Sequence, residues 1–395
     1  MPAQVQLRRD AGRVGPEHGP WIRARQIQRW IGVPDPTEPL QLLDRRGQPL
    51  GWGLPSERSF IAVRMLAWDP DPPPPDWLPL RLTEAITARD SQGWEHQPTT
   101  GIRLVNSEGD GLPGLVVDRY DAQLVVQLTT APMVAHQAAI VDALRATYPG
   151  PIHVVRPEGP AKLEGFEPGV DREGDETTRT PVRTPMLTFV EHGLRLTAPP
   201  PPSQKTGAYF DQRDNRRRVA ALARAGHGPL LDLGCHMGGF ALHAAAAGVP
   251  AVGVDRSAAM LRLAAEHAAR NALTGLQWVE ADMFGALDDP RLMGPFGTIV
   301  VDPPKLAARR RDVDRAADAM RRMVGRVAPR LSAGGHLVLC SCSHHLDREH
   351  LDRCMLASTG HFVRVASLGA DIDHPVAPGH AEGEYLCVAI YQRRH

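Results

Sequence analysis

Leu230-Leu-Asp-Leu-Gly-Cys-His-Met-Gly-Gly-Phe240 reads as an apolar strand that runs into a glycine turn and then into a helix. Glycine at 234 and 238 lets a ligand come close to the backbone, and the start of the helix offers free N–H groups. The spacing, Gly-x3-Gly-Gly, differs from the Gly-x-Gly-x-x-Gly of dinucleotide-binding folds. Asp232 ends the strand, where a carboxylate suits an amino-acid ammonium better than a pyrophosphate. A plain strand-to-helix turn would explain the glycines equally well, so the flanking sequence has to decide.

From Ser203 onward strands and helices alternate: LLDLG, an Ala-rich helix, AVGVD, the helix around AAMLRLAAEHAARNA, LQWVEAD, TIVVDPP, an Arg-rich helix, GGHLVLCSCS and finally YLCVAIYQRR. This order predicts an α/β, Rossmann-like domain, a doubly wound parallel sheet whose late strand could be antiparallel. Three acids end successive strands. Asp255, closing Val252-Gly-Val-Asp255, stands where a carboxylate accepts from both ribose hydroxyls, a feature that NAD enzymes and S-adenosylmethionine (SAM) enzymes share. Asp282 could take an adenine amino group between the apolar Met283 and Phe284, although a lone Asp at a strand end is also a helix cap. Asp302 opens Asp302-Pro-Pro-Lys305, whose prolines hold an extended backbone at the carboxyl edge of the sheet. In amino-directed methyltransferases the last residue of the comparable tetrad is an aromatic that stacks on the base. Lys305 cannot stack in that way, which counts against an exocyclic amine as target.

The run Leu337-Val-Leu-Cys340-Ser-Cys342-Ser-His-His345 sets two thiols on one strand face, roughly 7 Å apart along it. Cys342 lies nearer the carboxyl end. Cys-x-Cys-x-His-His could bind zinc, but no second ligand pair follows at usable spacing. Two buried cysteines acting as small hydrophobes are the plain alternative.

Composition sets the outer bounds. A chain of 395 residues, 42% hydrophobic and 23% charged, exceeds one ordinary domain and has the make-up of a soluble globular protein. No basic start is followed by an apolar run, so no secretory signal is expected. Five cysteines, all in the C-terminal half, argue for a reducing cytoplasm over a disulfide framework. The net charge is zero, yet residues 1–68 carry ten Arg against six acids, a mild basic bias. Only three of 45 basic residues are Lys, at 162, 205 and 305, and a Lys retained against such a bias hints at a need for a compact ammonium. Arg216 to Arg218, Arg309 to Arg311, Arg321 and Arg322 flank the motifs and could form a phosphate-binding rim, or simply solvated helix faces.

Three domains follow: residues 1–70, short strands between Gly and Pro turns; 78–198, an α+β unit; and 203–395. Within the second, residues 80–92 and 132–148 are expected to be helical, residues 101–120 to form two strands about a Gly-rich turn, and residues 167–184 a polar loop. LTFVEHGLRLTA is expected to form a hairpin at His192-Gly193.

Taken together these residues resemble the PUA-containing large-subunit ribosomal RNA cytosine-5 methyltransferases. The resemblance covers nearly the whole chain. His18-Gly-Pro-Trp21 and FIAVRMLAWDP are similar to that family's N-terminal PUA domain, GDGLPGLVVDRY (residues 109–120) to its middle-domain signature, and Lys205-Thr-Gly-Ala-Tyr-Phe-Asp-Gln-Arg213 to its lead-in to the catalytic domain. DPPK, SCS and Asp373-His-Pro-Val376 match as well. The resemblance implies a class I SAM-dependent methyltransferase domain behind a β-rich PUA domain and an α+β middle domain, with Cys342 as nucleophile toward C6 of cytosine and Asp302 and Lys305 assisting. SAM is the expected cofactor, held by Asp232, Gly234, Gly238, Asp255, Asp282 and Asp302. Lys205, Gln212 and Arg213 are expected at the substrate. The expected partner is ribosomal RNA, with a homodimer left open; no membrane and no metal are expected, and the expected location is cytoplasmic. The sequence departs from the family at Cys235-His-Met237, at His344, and at Arg315–Met320, where a Gly-Tyr-Lys segment is usual. A methyltransferase for another RNA or atom is the nearest alternative. An RNA-binding protein that has lost turnover is the other, and the intact Asp255, Asp302, Lys305 and Cys342 argue against it.

Overall fold

The computed structural model describes residues 2–92, 98–173, 186–201, 204–356, 358 and 360–394. The chain divides into two compact units, Met1–Phe210 with Ile372–Gly383, and Asp211–Asp371 with Glu384–His395.

The first unit opens with a six-stranded sheet in the order β2-β6-β5-β4-β1-β3, made of β1 (Gln4–Leu7), β2 (Trp21–Arg23), β3 (Ile27–Ile31), β4 (Leu40–Leu43), β5 (Pro49–Pro55) and β6 (Ile61–Ala67). Val5, Ile22, Leu42 and Val63 form its core, and between its strands the described residues include two 3-10 turns, Pro16–His18 and Ala24–Gln26. A five-stranded sheet follows, built of β7 (Gly101–Asn106), β8 (Leu115–Tyr120), β9 (Gln123–Leu128), β10 (Ile152–Arg156) and β11 (Gly169–Glu173) in the order β11-β10-β9-β8-β7. Helix α1 (Trp77–Asp90) starts three residues before the expected Leu80 because Trp77 and Leu78 are buried against this sheet's core. The helix expected over 132–148 is two, α2 (Ala131–Ala135) and α3 (Gln137–Arg145), broken at His136, and α4 (Glu158–Glu164) follows β10. The polar stretch read as a loop from 167 begins with β11, paired antiparallel to β10; residues 174–185 of that stretch lie outside the described residues. The hairpin of β12 (Leu187–Glu191) and β13 (Leu194–Ala198) turns at His192-Gly193, both with positive φ, as two-residue turns between twisted strands require.

Residues 204–210 and 372–383, which the sequence assigns to the last domain, belong to this first unit. Hydrogen-bond donors of the middle region hold the later segment. Arg103, paired with the fully buried Asp118 at 2.8 Å, donates its main-chain N–H to Asp373 Oδ2 at 2.8 Å. Arg89, paired with Asp110 at 2.6 Å, donates to the Asp373 carbonyl, and Asn106 donates to the Pro375 carbonyl. Asp110 and Asp118 of the GDGLPGLVVDRY signature are thus parts of a buried ionic framework, whose members each need a partner once out of water.

The second unit is a seven-stranded sheet in the order β16-β15-β14-β17-β18-β20-β19. Its strands are β14 (Leu230–Leu233), β15 (Ala251–Asp255), β16 (Leu276–Glu280), β17 (Phe296–Val301), β18 (Leu331–Ser341), β19 (Phe362–Leu368) and β20 (Cys387–Arg393). The first five run parallel and β20 is antiparallel to both neighbours. Parallel strands covered on both faces read as continuous apolar runs. Accordingly Leu231, Leu233, Ile299, Val301, Leu337 and Leu339 pack with Met320, Met323 and Val324 of α8 (Val313–Val327), while Leu230, Val300 and Val338 pack with Phe240 and Ala244 of α6 (Gly239–Ala246) and Val219 of α5 (Arg213–Ala225). Helices α7 (Ala258–Arg270) and α9 (Arg348–Met355) complete the layers. Strand order reverses between β14 and β17, which opens a crevice at their carboxyl ends. Among the described residues no helix is long and apolar enough to cross a membrane.

Candidate cofactor and active site

Four strand ends meet at that crevice. After β14 the chain turns through Gly234, φ +83°, where a Cβ would stand 2.3 Å from the Asp302 carbonyl oxygen. Glycine at 234 is therefore demanded by the close passage of two strand ends, whatever ligand lies above. Gly238, φ +86°, is the N-cap of α6. Between them the His236 N–H donates to Asp255 Oδ2 at 2.9 Å, and the other carboxylate oxygen of Asp255 accepts from the Ser257 N–H at 2.9 Å. Asp255 thus anchors the glycine loop to the end of β15. Asp282 is exposed and accepts from the Phe284 N–H at 2.9 Å, the local turn that a strand-ending Asp commonly makes.

Asp232 is completely buried. One of its oxygens accepts from the Ala241 N–H at 3.1 Å, while the other, Oδ1, meets no hydrogen-bond partner among the described residues. Burial first, and then the charges of Asp302 and Asp255, push its carboxyl up to about 7, against the opposing Ala241 N–H and Arg216. A buried acceptor without a donor, with two further carboxylates near it, is a site short of a cation. The ammonium of SAM has the charge and the donors to satisfy it, so the residues present fit the cofactor.

Asp302 lies just past β17, its N–H donating to the Leu233 carbonyl at 2.9 Å and its Oδ2 accepting from Gln212 Nε2 at 3.3 Å. In the parallel register Val301 faces Leu339, which sets Asp302 level with Cys340 of β18. Cys340 is fully buried, and burial followed by the Asp302 charge raises its thiol far above the usual range. Cys342, one residue past the end of β18, is half-buried. Ser343 beside it donates to the Ala307 carbonyl and fixes the turn. Lys305 is exposed. Among the described residues no group of three or more His, Cys, Asp or Glu side chains is placed to hold a metal ion.

Two expectations for the flanking residues change. Arg213 was expected at the substrate, but it is fully buried and paired with Asp371 at 2.7 Å; it stitches the start of α5 to the chain after β19. Arg216 was grouped with a surface rim, yet it is buried against Gly239, beneath the glycine loop. Arg217 and Arg218 are exposed and pair with Asp214, and Arg309 to Arg311 are exposed. Gln212 is buried and faces Asp302. The Lys205 side chain lies outside the described residues. Asn215, which the sequence reading passed over, donates to Gln212 Oε1 at 2.8 Å; its spacing of three from Gln212 at a helix start was the available signal.

Comparison with known proteins agrees with this architecture. Residues 230–327 match a family described as "Methyltransferase domain", and residues 5–68 one described as "PUA-like domain". The chain is 31% identical over 378 residues to ribosomal RNA large subunit methyltransferase I of Photobacterium profundum, covering 93% of each chain. It is 32% identical over 390 residues to a ribosomal RNA large subunit methyltransferase of Deinococcus radiodurans, covering 94% of this chain and 93% of that one. Among solved structures, a protein described as a SAM-dependent methyltransferase from Streptococcus mutans superposes with a TM-score of 0.77 at 16% identity, covering 98% of this chain and 99% of the other. Another, solved in complex with SAH, gives 0.76 at 17% identity, again over 98% and 99%. With a PUA-like sheet at one end, a Rossmann-like SAM domain at the other and near-full-length identity above 30%, the chain belongs to the PUA-containing, SAM-dependent large-subunit ribosomal RNA methyltransferase family.

Proposed function

We propose that the protein transfers a methyl group from SAM to C5 of a cytosine in large-subunit ribosomal RNA, with Cys342 as the covalent nucleophile. The observation that carries the reading is the contrast between two thiols on one strand. Cys340 is sealed and held protonated, whereas Cys342 stands past the strand end and is partly exposed. A reactive thiol needs such access.

C5 of cytosine is a weak nucleophile. Addition of the Cys342 thiolate to C6 shifts an electron pair onto C5, which can then accept a methyl group. SAM supplies that methyl group as an electrophile. Loss of the C5 proton to a base and expulsion of the thiolate from C6 restore the aromatic ring. Asp302, at the carboxyl edge beside this strand end, accepts from the base's polar edge, and Lys305 offsets negative charge that develops on the ring. Asp232 holds the ammonium of SAM, and Asp255 and Asp282 accept from its ribose and adenine. The basic bias of residues 1–68 and their PUA-like sheet support RNA as the macromolecular substrate, and a ribosomal substrate implies a cytoplasmic enzyme.

The test is a trap. RNA carrying 5-fluorocytosine cannot lose a proton from C5, so the wild-type protein should stay covalently joined to it. Cys342→Ala should form no adduct, and Cys340→Ala should still form one. An adduct that survives Cys342→Ala, or maps to Cys340, would overturn the assignment. Bisulfite mapping of ribosomal RNA with and without the gene then identifies the base.

A further inference from the structure

Gln212 closes the turn Phe210–Gln212 and occupies the N-cap position of α5, yet its side chain does not cap the helix. The amide is buried and points into the crevice instead. A buried primary amide that forgoes the nearest free N–H groups has its polar atoms committed elsewhere. Nε2 donates to Asp302 Oδ2 at 3.3 Å, and Oε1 accepts from Asn215 Nδ2 at 2.8 Å. Asn215, equally buried, donates from the same nitrogen to the Gly369 carbonyl at 2.9 Å.

The polarity of this chain is fixed at its far end. A main-chain carbonyl can only accept, so the Asn215 atom facing Gly369 has to be its NH2 group. That NH2 also faces Gln212, which therefore turns its oxygen toward Asn215 and its own NH2 toward Asp302. We propose that Gly369, Asn215 and Gln212 form a directional relay that presents a fixed N–H donor to Asp302, making Gln212 a positioning residue for methyl transfer rather than an RNA contact. The relay keeps one oxygen of Asp302 occupied and its charge stabilised. The Gln212 amide also favours the thiolate form of Cys340, against the larger opposing effect of burial, which ties the relay to the strand that leads to Cys342. Among the described residues, the charged and titratable groups that act on this cluster include Asp232 from β14, Asp255 from β15, Arg216 from α5 and Cys387 from β20.

This inference rests on the reading that Asp302 acts as a carboxylate in the reaction, and the experiment separates the two. Steady-state methyl transfer is measured against pH for the full-length protein, for Asp302→Asn, for Gln212→Met, which keeps the volume but removes the donor, and for Asn215→Ala. If the reading of Asp302 holds, Asp302→Asn slows transfer and abolishes the acid limb of the profile. Removing a donor from a carboxylate raises its pKa, so in Gln212→Met the acid limb should move up by roughly one pH unit, with kcat falling at least about tenfold and RNA KM little changed. Asn215→Ala should shift the limb in the same direction by less, and the double variant should match Gln212→Met alone. A merely structural amide would lower the melting temperature and leave the limb in place. Should Gln212→Met fail to fold, Asn215→Ala carries the test from the far end of the relay. An unmoved limb beside an inactive Asp302→Asn overturns the relay; a fully active Asp302→Asn overturns the underlying reading instead.

Discussion

Asp232→Asn is the most informative single substitution, because it should stabilise the cofactor-free protein while destroying its cofactor site. The wild-type carboxyl is completely buried and pushed from 3.8 to about 7. A folded-state pKa above the unfolded one means that folding favours the protonated form, so its contribution is fully present below pH 3.8 and is lost as pH rises. The loss grows by about 1.4 kcal/mol per pH unit and levels off above the folded pKa, at about 4 kcal/mol as an upper bound. An amide at this position does not ionise. The stability difference between variant and wild type, measured by urea denaturation without cofactor, should therefore increase by roughly 2–3 kcal/mol between about pH 5 and pH 8 and be flat above that. Calorimetry should show the opposite preference. The variant loses a carboxylate for the ammonium of SAM and should bind it at least about tenfold more weakly, and wild-type binding near neutral pH should release a proton into the buffer. A pH-independent stability difference, or unchanged SAM affinity in the variant, would refute the argument that the unpartnered Oδ1 awaits a cation.

Other perturbations follow from the same contacts. Gly234→Ala would place a methyl group 2.3 Å from the Asp302 carbonyl at a left-handed backbone position; a lower melting temperature and weaker SAM binding should appear together. Asp255→Ala frees the His236 N–H that anchors the loop, and calorimetry should show SAM affinity reduced by roughly 1.5–3 kcal/mol. Asp118→Ala removes the carboxylate that neutralises the buried Arg103 guanidinium, and chemical denaturation should show a loss of about 3–5 kcal/mol.

The doubly wound sheet could be read from the sequence because its central strands are sealed on both faces: Leu230–Leu233 and Phe296–Val301 are buried throughout, and such predominantly apolar runs have few other readings. Strand β19 was missed for the opposite reason. It is an edge strand whose residues are all at least partly exposed, so it carries no such signature. The acids at 232, 255 and 302 were visible because each ends an apolar run. The use of Arg213 was not, since its partner Asp371 is distant in sequence and an Arg beside a motif looks the same whether it meets phosphate or lies buried in an ion pair. The same applies to Asp373, whose match to a family motif marked it without revealing that it accepts from Arg103, far earlier in the chain, within the first unit's framework.

The path of residues 372–383 also bears on how the protein is made. On the ribosome the chain emerges from its N-terminus, and domains tend to fold as they appear. Here the main-chain N–H of Arg103, the guanidinium of Arg89 and the amide of Asn106 take their acceptors from Asp373 and Pro375. Those acceptors are synthesised after nearly the whole second unit. Strand β20, which lies between β18 and β19, follows them at once. Neither unit can therefore reach its final hydrogen-bonding before the last stretch of translation, and a nascent chain arrested short of residue 372 would hold both in an incomplete state.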